Sequence, residues 1–320
     1  MRVTRRGIQV GLGLLWLLDG ALQLQPFMFT SKFAEQVMLP AGQGQPGWVS
    51  GPVTFFAGQL AQRPALLDTA FALVQMGLGV ALLIPFLVRP AIIGSLCWAA
   101  GIWWLGEGLG GLASGQTSLV NDAPGAVFLY AVLAVAVWPM RRSPQGQSRS
   151  DTPVAGWLPV AWAVLWVGGA ILQVLPAQRG GEALRHQLGE TDGVPGWLGS
   201  AHRGVDGVLS HGGTGWYVGL VAVMAIVGVV VLLPGVWRMA AATVGGLLGI
   251  LIWVFGQNLG ELYSGQSTDP NTGPLLVLMA VAILGAAPVR RSRDSRDDRD
   301  TSVDVPDHRL GSSVAVTAGR

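Results

Sequence analysis

The chain has 320 residues, of which 51% are hydrophobic and only 12% charged. Soluble domains carry roughly 25% charged residues, and the apolar residues here fall in long uncharged blocks, so composition excludes an ordinary soluble domain and points to a membrane protein. The net charge of +2 hides an uneven placement of Arg, and a single cysteine, Cys97, excludes an intrachain disulfide and a C-x-x-C redox pair.

Met1 to Arg6 is short and basic, and an apolar block runs from Gly7 to Gln25. A signal peptide begins the same way. No A-x-A cleavage pattern follows, however, and the block returns inside the chain. Leu15-Trp16, Leu22-Gln23 and Pro26 recur as Leu165-Trp166, Leu172-Gln173 and Pro176, 150 positions later. The block therefore reads as a first membrane helix. Residues 26–63 mix polar and apolar positions. Phe29, Phe33 and Val37 recur at helical spacing and predict a short interfacial helix, and Trp48 reads as an interfacial anchor. A second span is predicted from Ala65 to Val88, a tight turn at Arg89-Pro90, a third span from Ala91 to Gly108, and a fourth from Pro124 to Met140. Cys97 falls inside an apolar block and reads as an inert core residue.

The second half repeats this plan, with spans from about Val154 to Leu175, Trp216 to Leu233, Met239 to Phe255 and Pro274 to Val289. The strongest repeat is the stretch between the third and fourth spans. Trp103, Gly106, Leu109, Gly110, Leu112, Ser114, Gly115, Gln116, Asn121 and Pro124 return as Trp253, Gly256, Leu259, Gly260, Leu262, Ser264, Gly265, Gln266, Asn271 and Pro274. So many identities in one ungapped window mark an internal duplication. The predicted fold is all-α: a polytopic membrane protein with eight transmembrane helices in two parallel four-helix repeats. Residues 1–140 form the first repeat, 141–153 a cytoplasmic linker, 154–289 the second repeat and 290–320 a disordered, mixed-charge cytoplasmic tail. With the N-terminus cytoplasmic, only Lys32, Arg63, Arg179, Arg185 and Arg203 of the 20 Lys and Arg lie outside. That bias predicts a multi-pass plasma-membrane protein with both termini cytoplasmic and both copies of the glycine-rich loop outside.

Polar residues inside apolar blocks are costly and mark function by default. Asp19 and Gln23 share a face of the first span with Trp16, Gln75 lies in the middle of the second, and Glu107 ends the third, with Gln257 and Asn258 at the matching end of the seventh. Together they outline a polar cavity in the outer half of the bundle. The bland alternative is interhelical hydrogen-bond glue. Ser114, Gln116 and Asn121 in the first loop, and Ser264, Gln266 and Asn271 in the second, read either as a tight helix connection or as an anion-binding helix start. Asn121 or Asp122, and Asn271 or Thr272, are the expected N-caps, with Pro124 and Pro274 in the first turn. All four histidines fall in predicted loops or tail, which argues against a membrane haem with two axial histidines. His186, His202 and His211 share one predicted loop with Glu182, Asp192 and Asp206, but their spacing matches no tight ligand pattern, so no metal is assigned. No hydrolase triad, phosphate loop or nucleic-acid module is visible.

The run GLGLLWLLDGALQLQP, a long outer segment, and then MGLGVALLIPFLVRPAIIGSL resemble the DoxX-type family, which includes DoxD-like and MauE-like membrane proteins. The similarity covers residues 1–140 and, more weakly, 154–289. Family members often carry an acidic residue in the second helix, where this chain has Gln75 and, in the second half, Met224. The resemblance implies an accessory subunit, embedded in the lipid bilayer, that supports a quinone-linked or thiol-redox partner at the outer face. It implies no cofactor motif of its own. A pseudo-symmetric small-solute transporter or channel, and a structural assembly factor without catalysis, are the alternatives.

Overall fold

The computed structural model describes residues 4–139, 155–189 and 193–286. Among them every regular element is helical. The predicted linker and the predicted disordered tail fall outside the described residues.

Long apolar runs form helices because a buried backbone must satisfy its own N–H and C=O groups. In the first half α1 spans Arg5–Leu22, α2 Ser31–Phe33, α3 Leu39–Ala41, α4 Gly47–Gln62, α5 Pro64–Leu83, α6 Val88–Leu105 and α7 Ala126–Ala136. The second half holds α8 Leu158–Gln173, α9 Gly181–Gly189, α10 Gly196–Gly212, α11 Thr214–Val230, α12 Val236–Leu251 and α13 Thr272–Gly285. Each predicted span coincides with one of the eight helices α1, α5, α6, α7, α8, α11, α12 and α13. Three helices are long and apolar enough to cross a membrane: α5, α6, and α12 with the π turn that continues it to Gly256. A fourth qualifies if α10 and α11, bent by 103° at Gly213, count as one. The others are shorter, at 11 residues for α7, 16 for α8 and 14 for α13, or carry more charge, as α1 does with Arg5, Arg6 and Asp19. The outward faces are apolar: Phe55, Leu66, Leu73, Val164 and Ile226 are all more than half exposed. A wide apolar surface on a helical bundle is what lipid contact requires.

Within each half, glycine sets the closest helix approach. A Cβ on Gly79 of α5 would lie 2.7 Å from the Gly13 carbonyl oxygen and 2.9 Å from the Leu17 nitrogen of α1. On Gly228 of α11 it would lie 3.0 Å from the Val167 nitrogen and 3.2 Å from the Ala163 carbonyl oxygen of α8. Small residues allow backbones this near, and dispersion contacts then hold membrane helices together. At the end of the bundle that carries the short turns, Arg6 donates to the carbonyls of Leu82 and Leu83, and Arg238 to those of Val231 and Leu232. Both cations thus satisfy the orphan carbonyls that end α5 and α11. The halves meet along α7 and α13, flanked by α1 and α8, and one apolar core runs through both. Trp16, Tyr130, Leu133, Trp162, Trp166, Leu275 and Met279 are all buried in it.

Three local expectations are corrected. Arg89-Pro90 is not the turn but the first turn of α6, where the missing proline N–H costs nothing; the connection is Ile84–Leu87. Cys97 is exposed on α6 rather than in the core. A lipid-facing helix is apolar all round, so an apolar block alone does not reveal its packed face. The mixed segment 26–63 is largely helical: α2, a π turn at Ala34–Met38, α3 and α4 pack Met28, Phe33, Met38 and Leu60 into a separate small core beside Phe71.

Candidate functional site

The repeated stretch builds the opposite, loop-rich end of the bundle. After α6 the chain turns left-handed at Leu109, Gly110 and Gly111, with φ of 58°, 61° and 72°; after α12 it does the same at Leu259 and Gly260, with φ of 58° and 65°. Glycine is required at Gly110, because a Cβ there would sit 2.1 Å from the Pro124 carbonyl oxygen. The indole N–H of Trp103 donates to the carbonyl of Pro124 at 2.7 Å, and that of Trp253 to the carbonyl of Pro270 at 2.8 Å. Each tryptophan therefore staples its loop to the helix that precedes it.

Glu107 and Gln257 occupy matching positions and do matching work. The Val127 amide donates to Glu107 Oε1 at 3.2 Å at the start of α7, and the Gly273 amide to Gln257 Oε1 at 3.1 Å at the start of α13. A helix start leaves four amides without partners, and these side chains satisfy one each. At α7 the expected cap is corrected: Gly125, not Asn121 or Asp122, holds the N-cap position, and Pro124 lies before the helix. At α13 Asn271 holds the N-cap position as expected, and neither residue caps through a side chain. Asp122 instead reaches across to the other half, where its Oδ1 accepts from the Thr272 amide at 2.7 Å. Gln25 and Gln178 also cross, donating to the carbonyls of Ser267 and Gln116 respectively. Each loop is thereby held by the opposite half.

These crossings bring four carboxylates together. Asp19, 1% exposed on α1, lies against the Tyr130 hydroxyl without reaching hydrogen-bond geometry, and its Oδ1 has no partner. The charge of Asp269 reaches Asp19, Glu107 and Asp122 alike. Burial pushes the Glu107 carboxyl well above the usual carboxylate range; the charges of Asp269, Asp122 and Asp19 push it further, against the bond from Val127. Burial and then Asp269 raise Asp122 to about 8, against its bonds to Thr272. Asp269 is raised by burial, opposed by bonds from the Asn271 amide and the Thr268 hydroxyl.

Protons held by the folded protein and released by the unfolded one stabilise it fully below the ordinary carboxylate range, and this stability is lost as pH climbs through the raised values. The thermal midpoint in detergent is thus expected to fall from about pH 5 to about pH 8 and level off above. Asp122→Asn should make the fall shallower. A midpoint that rises over this interval would mean that the carboxylates are ionised and stably paired.

Two polar chambers of about 420 Å³ each flank Asp122 and share it with Asn121. The first also takes Glu107, Ser114 and Gln116, and the second Gln257, Asn258, Gln266 and Asn271. Ser264 is not among the residues that line the second chamber; its hydroxyl accepts from the Gln266 amide as that of Ser114 does from Gln116. Of the other residues singled out in the sequence, Gln23 is buried with Oε1 unpartnered. Gln75 is buried on the face of α5 that carries Asp68, and neither its Oε1 nor either oxygen of Asp68 has a partner. Sequence reasoning passed over Asp68, although it lies within the predicted second span and meets the rule applied to Asp19. It also missed Tyr130 and Asp269, whose positions carry no local signal. His202 is fully buried, with Nδ1 2.8 Å from the Leu188 carbonyl and its ring edge-on to Phe255. His211 Nδ1 lies 2.6 Å from the carbonyl of Gly207 on its own helix. Among the described residues no group of three His, Cys, Asp or Glu is placed to hold a metal ion.

No family model, curated protein or solved structure matches the chain.

Proposed function

We propose that the chain is a tandem pair of DoxX-like four-helix units, crossing a bacterial plasma membrane eight times with both termini cytoplasmic. Its role is that of an accessory subunit for a quinone-linked or thiol-redox partner, to which the outer face offers exchangeable protons. The observation that carries this reading is the carboxylate cluster at the seam. Asp19, Glu107, Asp122 and Asp269 share one electrostatic site with contributions from both halves. Quinone and thiol redox steps move protons together with electrons, and a buried carboxylate whose proton leaves near neutral pH suits such a step. Beneath the cluster the seam is the apolar core around Trp16, Tyr130 and Met279. That closed floor favours a site served from one face over a solute path through the bundle.

The test is purification in native lipid particles, with mass spectrometry of the proteins and quinones retained. A redox protein or quinone enriched with the wild type and depleted with Asp19→Asn is expected. Recovery of bulk lipid alone from both would overturn the accessory role.

A further inference from the structure

A further cavity lies on the side of the seam where α7 of the first half meets α8 of the second. It holds about 480 Å³, and its walls include Leu119 and Pro124 of the loop, Phe128 and Val132 of α7, and Leu165 and Gly168 of α8. Among the described residues that line it, no side chain carries a hydrogen-bond donor. Val164 and Ile171, which also line it, are 69% and 58% exposed, so the cavity is a groove continuous with the apolar outward surface of the bundle. Along α8 it runs from Leu172, beside the loop-rich end of the helix, to Ala161, roughly 16 Å at about 1.5 Å per residue. That is about half of a hydrocarbon core of about 30 Å, the depth of one leaflet.

The matching seam, where α13 meets α1, is closed by leucine. Leu278 stands where this seam has Phe128, and its Cδ1 lies 3.0 Å from the place of a Cβ on Gly11 of α1. Leu18 stands where this seam has Gly168, and a Cβ on Gly168 would meet nothing within 4 Å. One seam is thus packed with leucine where the other keeps an apolar groove.

We propose that this groove holds one acyl chain of a phospholipid from the leaflet at the loop-rich end. Lipid tails are as apolar as leucine, so the chain takes the place that Leu18 and Leu278 take in the other seam. It restores the dispersion contacts that unmatched apolar walls forfeit. Spread over its length, the groove has a cross-section of roughly 30 Å², too narrow for a partner helix about 10 Å across. A prenyl quinone would bury its ring carbonyls without a donor. Ala123 and Pro124 in the wall directly follow Asp122, which holds the start of α13, so a seated chain also braces the crossing between the halves. The site needs the membrane but no redox partner, so it and the accessory role can fail separately.

The test places the full chain in nanodiscs of phosphatidylcholine that carries a diazirine partway along one acyl chain. After illumination, adducts are mapped by mass spectrometry. They are expected to concentrate at Val132 and Leu165 of the groove over the outward Leu66 and Leu73 of α5. Gly168→Leu, which gives this seam the residue of the other, should cut the groove adducts at least about tenfold, the scale of loss at an overpacked site. It should fold, because its Cβ meets nothing and leucine favours a helix over glycine. Gly77→Leu, the same change where α5 faces open space, should leave the adducts unchanged. Adducts spread evenly over the outward faces would mean ordinary boundary lipid and would overturn the site, as would groove adducts that persist in a folded Gly168→Leu variant. Loss of the adducts to an equimolar prenyl quinone would overturn the acyl assignment. Loss of folded Gly168→Leu protein would show that the groove has no room for a chain, and would overturn it too.

Discussion

Gly79→Leu is expected to remove most of the folded protein, whereas Gly77→Leu, two residues away, should be nearly silent. Gly77 faces open space, and a Cβ there meets nothing within 4 Å. At Gly79 the new side chain meets the backbone of α1 on two sides, at Gly13 and Leu17. Backbone atoms in a packed helix cannot step aside as a side-chain tip can. The helices must separate, and the contacts at Gly20, whose Cβ would lie 2.6 Å from Met76, are lost with them. Overpacking of this kind costs about 3 kcal/mol or more, a large share of a typical folding free energy. Gly228→Leu on α11 should act in the same direction with a smaller loss, because the α8 backbone lies 3.0 and 3.2 Å from a Cβ there. The readout is the fraction of monodisperse protein after extraction and its thermal midpoint. Equal yields from Gly77→Leu and Gly79→Leu would refute the glycine-mediated crossing.

Asp19→Asn is expected to abolish function in a strain that lacks the chain, with expression and thermal stability retained. Asparagine matches aspartate in shape but cannot release a proton. Asp19 is nearly inaccessible and its free oxygen has no protein partner, so little packing depends on its charge. The second half offers no substitute, since Gly169 stands at the matching position. A Cβ at Gly169 would meet Met224 at 2.7 Å and Leu119 at 2.9 Å, so that place is already filled by apolar atoms. Asp19→Leu should fail as well, and Asp68→Asn separates the two buried acids. Asp68 sits beside the small core of the first half and has no counterpart role at the seam. If Asp19→Asn complements fully while Asp19→Leu only lowers expression, Asp19 is a packing residue and the seam does not exchange protons.

The helices themselves were legible in the sequence, for a simple physical reason. In an apolar environment the backbone has few solutions, and an uncharged block bounded by Gly, Pro or Arg becomes a helix whatever it packs against. The paired tryptophans 150 positions apart were also legible, but their bonds do not keep that spacing: Trp103 donates to Pro124 and Trp253 to Pro270, not to Pro274. Asp19, Gln23, Glu107, Gln257 and Asn258 stood out because polar groups are rare in such blocks. Their partners did not, because partnership is a matter of distance between chain segments far apart in sequence. Asp122 looked like a cap for its own helix and caps the matching helix of the other half, 150 residues on. Asp269 has the apolar Leu119 at its counterpart position, so comparison of the halves gives no hint of its reach. Cys97 was misjudged for a related reason, since hydrophobicity does not distinguish a lipid-facing surface from a packed one. The seam and its two chambers arise only when each loop is clasped by the opposite half. That exchange is decided by helix packing, which fixes which loop ends meet.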